Sequence, residues 1–171
     1  MPRVIPNQKE RFDKDELFKK LTQDCEVKYS AFRDLQHEER KKKFLESIKE
    51  GYSTISFVNT GSNLSLQFCR NAWSDIREDR LPTPDFVDFS REEGRVNLEA
   101  FLIFNGVCVN WVGWIDLESL SGKAKFVFNF ERAQLEEKLR KDAMEQAIMK
   151  LFEWLDLNIF KISPFSGLFR P

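Results

Sequence analysis

The sequence predicts an α+β fold, an antiparallel β-meander flanked by helices. Two observations carry this. Residues 96–128 read as three strands joined by two tight turns, and apolar residues recur at helical spacing both before and after them. The first turn, Asn105-Gly106, suits a two-residue hairpin loop because both central residues must take φ > 0. It sets Phe104 against Val107, Leu102 against Val109, Ala100 against Trp111, Leu98 against Gly113 and Val96 against Ile115, which makes one face apolar throughout. The second turn, Ser119-Leu120-Ser121-Gly122, admits a register with Glu118 opposite Lys123 and Asp116 opposite Lys125. Each such opposite-charge pair contributes roughly 0.2–1 kcal/mol. That register leaves Ala124, Phe126 and Phe128 on the same apolar face as Leu117, Ile115 and Gly113.

Ahead of the meander, residues 12–21 hold Leu17, Phe18 and Leu21 at helical spacing, with acidic residues early and Lys19-Lys20 late. That charge order suits the helix dipole. Residues 25–30 alternate in the manner of a half-buried strand, although a continued helix fits six residues equally well. His37–Glu50 is a helix with Phe44, Leu45 and Ile48 on one face and Gly51 at its stop. Its basic run, Arg40-Lys41-Lys42-Lys43, is diluted by Glu38, Glu39, Glu46 and Glu50, and reads as a solvated face rather than a phosphate site. Two strands follow, at 53–59 and 64–69, joined by Thr60-Gly61-Ser62-Asn63. Residues 70–93 are charge-dense, contain Pro82 and Pro84, and read as a peripheral loop with one edge strand at 86–89.

After the meander Asn129 is placed as an N-cap, and Leu135, Leu139, Ala143, Ala147, Ile148, Leu151 and Leu155 predict a long helix with one face on the protein. Residues 1–157 are expected to form one domain, and 158–171 a tail without clear period but rich in apolar residues, Phe165, Leu168 and Phe169 among them.

Several function classes lose support on composition. The 27 basic and 28 acidic residues leave a formal charge of −1, against the positive footprint that nucleic-acid binding needs. Cys25, Cys69, Cys108 and the single histidine, His37, are too scattered for a zinc site and read as packed thiols and a helix-start histidine. No apolar segment resembles a signal peptide or a membrane span, so a soluble intracellular chain is expected. Phosphate-cradling motifs are absent, the spacing of the carboxylate pairs Asp85/Asp88, Glu92/Glu93 and Asp116/Glu118 does not bring them to one pocket, and Asp116 and Glu118 already have a structural use as partners of the lysines. Neither an enzyme nor a cofactor is expected. An OB-type domain stacking single-stranded bases is the alternative reading. Trp111, Phe126 and Phe128 fall on the core face, however, which leaves only Trp114 for such a platform. The third reading is a protein-binding rim, where Phe104 and Leu64 sit beside turns and either anchor a partner or close the end of the core.

The motifs Met1-Pro2-Arg3-Val4, Phe32-Arg33-Asp34, His37-Glu38-Glu39-Arg40, Thr60-Gly61, Asn63-Leu64-Ser65-Leu66-Gln67-Phe68, Asn105-Gly106-Val107-Cys108-Val109, Gly113-Trp114-Ile115-Asp116-Leu117 and Glu131-Arg132-Ala133-Gln134 resemble, in this order, the core-binding factor beta family. Its members are the non-DNA-binding partners of Runt-domain transcription factors. The likeness runs from Met1 to near Arg140, is partial across 70–93 and fades beyond. It implies a partly open antiparallel β-barrel with flanking helices. It also implies heterodimerisation with a Runt-domain protein whose DNA affinity it raises, DNA being met only through that partner, and action in the nucleus, with the cytoplasm as a second location. Neither a membrane nor a small-molecule substrate is expected from the resemblance. The family's contact surface maps onto Val4, Thr60, Gly61, Asn63, Leu64, Gln67, Phe104 and Asn105, with Arg3 as a weaker member. The position matching Phe104 is usually a smaller aliphatic residue in that family, so a different fit is expected around it.

Overall fold

The computed structural model describes residues 3–162, with side chains through Ile159. In chain order it contains α1 (Gln8–Lys14), α2 (Glu16–Leu21), β1 (Cys25–Tyr29), α3 (His37–Glu50), β2 (Tyr52–Phe57), β3 (Asn63–Gln67), β4 (Val87–Asp88), β5 (Arg95–Phe104), β6 (Val107–Asp116), β7 (Ser121–Phe128) and α4 (Phe130–Ile162). The strands form one seven-stranded sheet in the order β3-β2-β1-β7-β6-β5-β4, every neighbouring pair antiparallel. The sheet curls until β3 comes against β5 without joining it by a ladder, so the fold is α+β around a partly open barrel.

The hairpin register of β5 and β6 is the one the sequence predicts, from Phe104↔Val107 through Val96↔Ile115. Asn105 and Gly106 take φ of 47° and 78°, both in the left-handed region that such a turn demands. Between β6 and β7 the register is a correction. Lys125 faces Val112 and Lys123 faces Trp114, four residues from the expected Asp116 and Glu118. The cause is the side chain of Asp116, whose Oδ1 accepts from the backbone N–H of Glu118 and Ser119 at 2.9 and 2.8 Å. This draws the turn back to residues 117–120, with Leu120 at φ 58°. Glu118 then pairs with Lys41 of α3 at 2.8 Å instead of with a lysine of β7. A slip by an even number preserves the inward face. Trp111, Ile115, Ala124 and Phe126 all remain buried.

The helix expected over 12–21 is two helices. Asp15 takes an extended conformation and accepts from the backbone N–H of Leu17 and Phe18, capping α2 where a continuous helix would have run through it. Residues 25–30 settle as the strand β1, with Cys25, Val27 and Tyr29 inward. α3 has the expected bounds and ends at Gly51 in a left-handed conformation, φ 94°. Loop 70–93 carries a 3-10 turn at Arg77–Arg80 and the edge strand β4.

The core lies inside the curl. Phe18 and Leu21 of α2 and Phe44 and Ile48 of α3 are buried against it. The Phe18 ring lies 5.7 Å from Phe104, which in turn lies 5.1 Å from Phe126. A smaller cluster sits on the outer side of the β5–β6 hairpin, where Val4 and Ala133 pack on Cys108. α4 starts as expected, with Arg132 N–H donating to Oδ1 of Asn129 at 2.9 Å. Its later course differs from the expected docked helix. Ala133 and Glu136 are buried, but every side chain from 141 to 157 is exposed. Apolar periodicity identifies a stripe on a helix without identifying what covers it. Phe165, Leu168 and Phe169 lie outside the described residues.

Candidate functional site

The site is built where β3, at one edge of the curled sheet, meets the stretch of β5 that β4 leaves unpaired. Five antiparallel steps separate β3 from β5 in the sheet order, so the two run antiparallel across the opening. The Asn63 end of β3, with the loop before it, therefore lies at the same end of the barrel as Phe104 and the Asn105-Gly106 turn. Between the edges runs a groove of about 430 Å³, with Ser65 and Gln67 of β3 on one side, Phe101, Leu102 and Ile103 of β5 on the other, and Arg3 and Trp73 at its margins.

Alternation along β3 divides its residues. Asn63, Ser65 and Gln67 point outward and are exposed, while Leu64 and Leu66 are buried. In the loop before β3, Gly61 is exposed and takes φ 70°, Thr60 is half-buried with its hydroxyl donating to Ser62 Oγ at 2.9 Å, and Asn63 Oδ1 accepts from Ser30 Oγ at 2.6 Å. Across the groove Asn105 is exposed at the tip of its turn. Phe104 is half-buried and packs on Phe18 and Phe126, so its ring closes the end of the core, and so does Leu64 at 8% exposure. Val4 is 4% exposed, covered between Cys108 and Ala133. Thr60, Gly61, Asn63, Gln67 and Asn105 thus offer surface, and Val4, Leu64 and Phe104 are the packing beneath it.

The N-terminal segment fixes the turn from behind. Ile5 N–H donates to the carbonyl of Gly106 at 3.0 Å. A side-chain carbon on Gly106 would come within 2.6 Å of Ile5 Cγ2, so glycine is required there by this crossing as well as by φ. Gln8, itself buried, donates to the carbonyl of Ala133 at 3.2 Å and accepts from Cys108 N–H at 2.9 Å, joining α1, α4 and β6. Arg3 and Arg132 both pair with the buried Glu136 carboxylate, and the Arg132 guanidinium lies 4.2 Å from the centre of the Phe101 ring. The N-terminal segment, α1, α4, β5 and β6 are thereby locked together beside the groove.

Trp73 is the residue that reading the sequence missed. It is 81% exposed at the groove margin, on a turn held by Asn71 Oδ1 accepting from Trp73 N–H and by Ser74 Oγ donating to Asp79. A tryptophan alone in a charge-dense loop was the available signal.

Other candidate residues have structural occupations. His37 Nε2 lies 2.6 Å from the carbonyl of Glu118. From the basic run, Arg40 donates to the carbonyls of Tyr29 and Ala31 at 2.7 and 3.2 Å, and Lys41 is engaged by Glu118 and Glu38. Burial pushes the thiols of Cys25 and Cys69 up, and that of Cys108 up to about 12, with the nearby Glu136 carboxylate adding to the shift at Cys108. These are thiols held in the unreactive protonated form. Trp111 and Phe126 are buried, and Trp114, half-buried on the outer face, is covered by Arg95 with its guanidinium 3.8 Å from the ring centre. A base-stacking platform has little open aromatic surface there. No helix among the described residues is long and apolar enough to cross a membrane.

The family model described as core binding factor beta subunit matches residues 1–160. Two proteins of Drosophila melanogaster are similar to the chain. Protein big brother is 37% identical over 156 residues, which cover 91% of this chain and 70% of that protein. Protein brother is 42% identical over 137 residues, covering 80% of this chain and 62% of that protein. The chain thus spans between about three fifths and seven tenths of the length of these curated relatives.

Proposed function

This chain belongs to the core binding factor beta family, a family of non-catalytic subunits that regulate transcription, and we propose that it heterodimerises with a Runt-domain protein and raises that partner's affinity for DNA. The observation that carries the reading is the rim at one end of the open barrel together with the groove that runs from it past Gln67, between β3 and β5. Two separate segments, the β2–β3 loop with β3 and the β5–β6 turn, present exposed polar side chains beside an apolar groove. Thr60, Gly61, Asn63, Gln67 and Asn105 make the contacts. Val4, Leu64 and Phe104 hold them in place from within, and Trp73 supplies an aromatic anchor at the margin.

The near-neutral charge suits a subunit that makes no phosphate contacts of its own. It acts by binding better to the DNA-competent conformation of its partner, and linkage then requires DNA to tighten the protein–protein contact by the same factor. A coupling of about 1–3 kcal/mol corresponds to roughly 5–150-fold. The complex works in the nucleus.

Titrating labelled DNA with a Runt domain, with and without this chain, tests the proposal. The expected result is a shift of the DNA-binding midpoint to lower Runt-domain concentration, with no DNA binding by this chain alone. An unchanged midpoint overturns the proposal, and salt-sensitive oligonucleotide binding by the isolated chain supports the OB-type reading in its place.

A further inference from the structure

The stripe by which α4 docks on the domain does not end where the domain ends. Its buried members, Ala133 and Glu136, are followed by the half-buried Arg140, and then by Met144, Ile148, Leu151 and Leu155 at intervals of four, three and four. That is the a/d spacing by which two helices interlock. These last four are 49%, 47%, 55% and 38% exposed, and Phe152 and Trp154 beside them are 62% and 58% exposed. The opposite side of the helix carries Asp142, Gln146 and Glu153, interrupted by the exposed Leu139, Met149 and Leu157. Among the described residues nothing covers the distal stripe, and the helix is not one that crosses a membrane.

We propose that residues 144–155 of α4 pair, antiparallel, with the same segment of a second copy of this chain. The orientation follows from the domain's own position. At the level of Ala133 and Glu136 the stripe is filled by the domain, so a second helix can lie on it only beyond Glu136. A parallel partner would bring its own domain onto the ground the first already holds, whereas an antiparallel one carries it to the far end. An antiparallel two-fold pairing is isologous, with the same surface on both copies, which asks no complementary sequence from elsewhere.

The area is sufficient. Taking about 200 Å² for a large side chain and half of it still exposed, the four stripe residues and the flanking Phe152 and Trp154 of two copies remove on the order of 1,200 Å² from water, the lower end of stable specific interfaces. The layers then set Ile148 against Leu151 and Met144 against Leu155 of the second copy. Phe152 and Trp154 cover the flanks.

Sedimentation equilibrium of the full chain tests this, with far-UV circular dichroism as the control for folding. A dimer is expected at tens of micromolar, and Leu151→Glu, at an exposed position of the free helix, should raise its dissociation constant at least tenfold while leaving the helical signal in place. Leu155→Lys should act the same way, so one misbehaving variant does not decide the matter. For orientation, a Met144→Cys chain mixed with a Leu155→Cys chain should oxidise to a mixed disulfide more readily than either chain cross-links to itself. A monomer at every concentration overturns the proposal, and so does a dimer indifferent to both charge substitutions. Preferential self-cross-linking at position 144 overturns the antiparallel arrangement.

Discussion

Arg3 and Glu136 stand 133 positions apart and form an ion pair in which the carboxylate is 4% exposed and the guanidinium 49%. Arg132 stands 3.8 Å from the same carboxylate oxygen. Removing the two partners should therefore have unequal effects. Glu136→Ala leaves Arg132 without its anion beneath the N-terminal segment, and should cost about 3 kcal/mol. Arg3→Ala leaves the carboxylate its second partner and removes a largely solvated charge, so the loss should be about 1 kcal/mol or less. Urea denaturation of both variants, compared at constant m-value, checks the ordering.

Trp111 carries the core-face reading. It is fully buried, near Phe68, on the strand whose register was legible in advance. Trp111→Ala should cost about 3–5 kcal/mol, the range of a buried aromatic truncation. Its indole N–H is buried without a hydrogen-bond partner among the described residues, so Trp111→Phe removes an unpaired donor along with some volume. That second variant should lose much less. Thermal unfolding of the pair separates packing from polarity, and near-normal melting of the alanine variant would contradict the assignment.

Two rim residues test the partner surface with little cost to the fold. Gln67 points outward from β3, and Gln67→Ala should weaken partner binding with the melting temperature nearly unchanged. Asn105 needs more care because its φ is 47°, where alanine is strained. Asn105→Gly keeps the backbone comfortable and deletes the side chain, so it should reduce affinity without destabilising the hairpin. Asn105→Ala should show both losses. Calorimetric titration with a Runt domain, together with melting curves, distinguishes a contact from a turn requirement.

The thiol of Cys108 predicts a weakening of the fold in alkali. In the unfolded chain it ionises near its ordinary value of 9.0, and in the folded chain burial holds the proton to about pH 12. Between those values the folded state binds more protons than the unfolded, so stability falls as pH rises through the window. Below pH 9 both states are protonated and the group contributes no slope. Cys108→Ala should flatten the decline between pH 9 and 11, measured by denaturant midpoints. In the native protein, Ellman's reagent should label the three buried cysteines slowly, and rapidly after unfolding.

How far the sequence could be read varied with how tightly local chemistry constrains geometry. Asn105-Gly106 leaves a two-residue loop almost no freedom, and the whole β5–β6 ladder followed from it. Ser119-Leu120-Ser121-Gly122 looked like an equally good turn, but Asp116 captured two backbone N–H groups upstream and displaced it. Asp15 did the same within an apolar pattern that otherwise read as one helix. Short acidic side chains competing for backbone donors account for both misreadings. The stripe on α4 was legible and its exposure was not, because spacing contains no information about a third body. At the rim, alternation along β3 divides Gln67 from Leu64, but which turn residues meet a partner came from the family likeness. Trp73 belongs to a loop whose position depends on contacts that no periodicity reports.

The crossing of Ile5 over Gly106 also bears on how this protein can be handled. With Val4 buried and the Ile5 N–H bound to the turn, the chain enters the fold beside the rim rather than at a remote surface. Anything joined ahead of Arg3, such as an affinity tag, a fluorescent protein or a tether to a surface, begins within reach of Asn105 and the groove. Immobilisation or fusion at that end would obstruct the face under study, and a labelled chain could fail to bind for reasons unrelated to its own residues. Attachment points on the outer face of the sheet, such as Lys123 or Lys125, keep the rim clear.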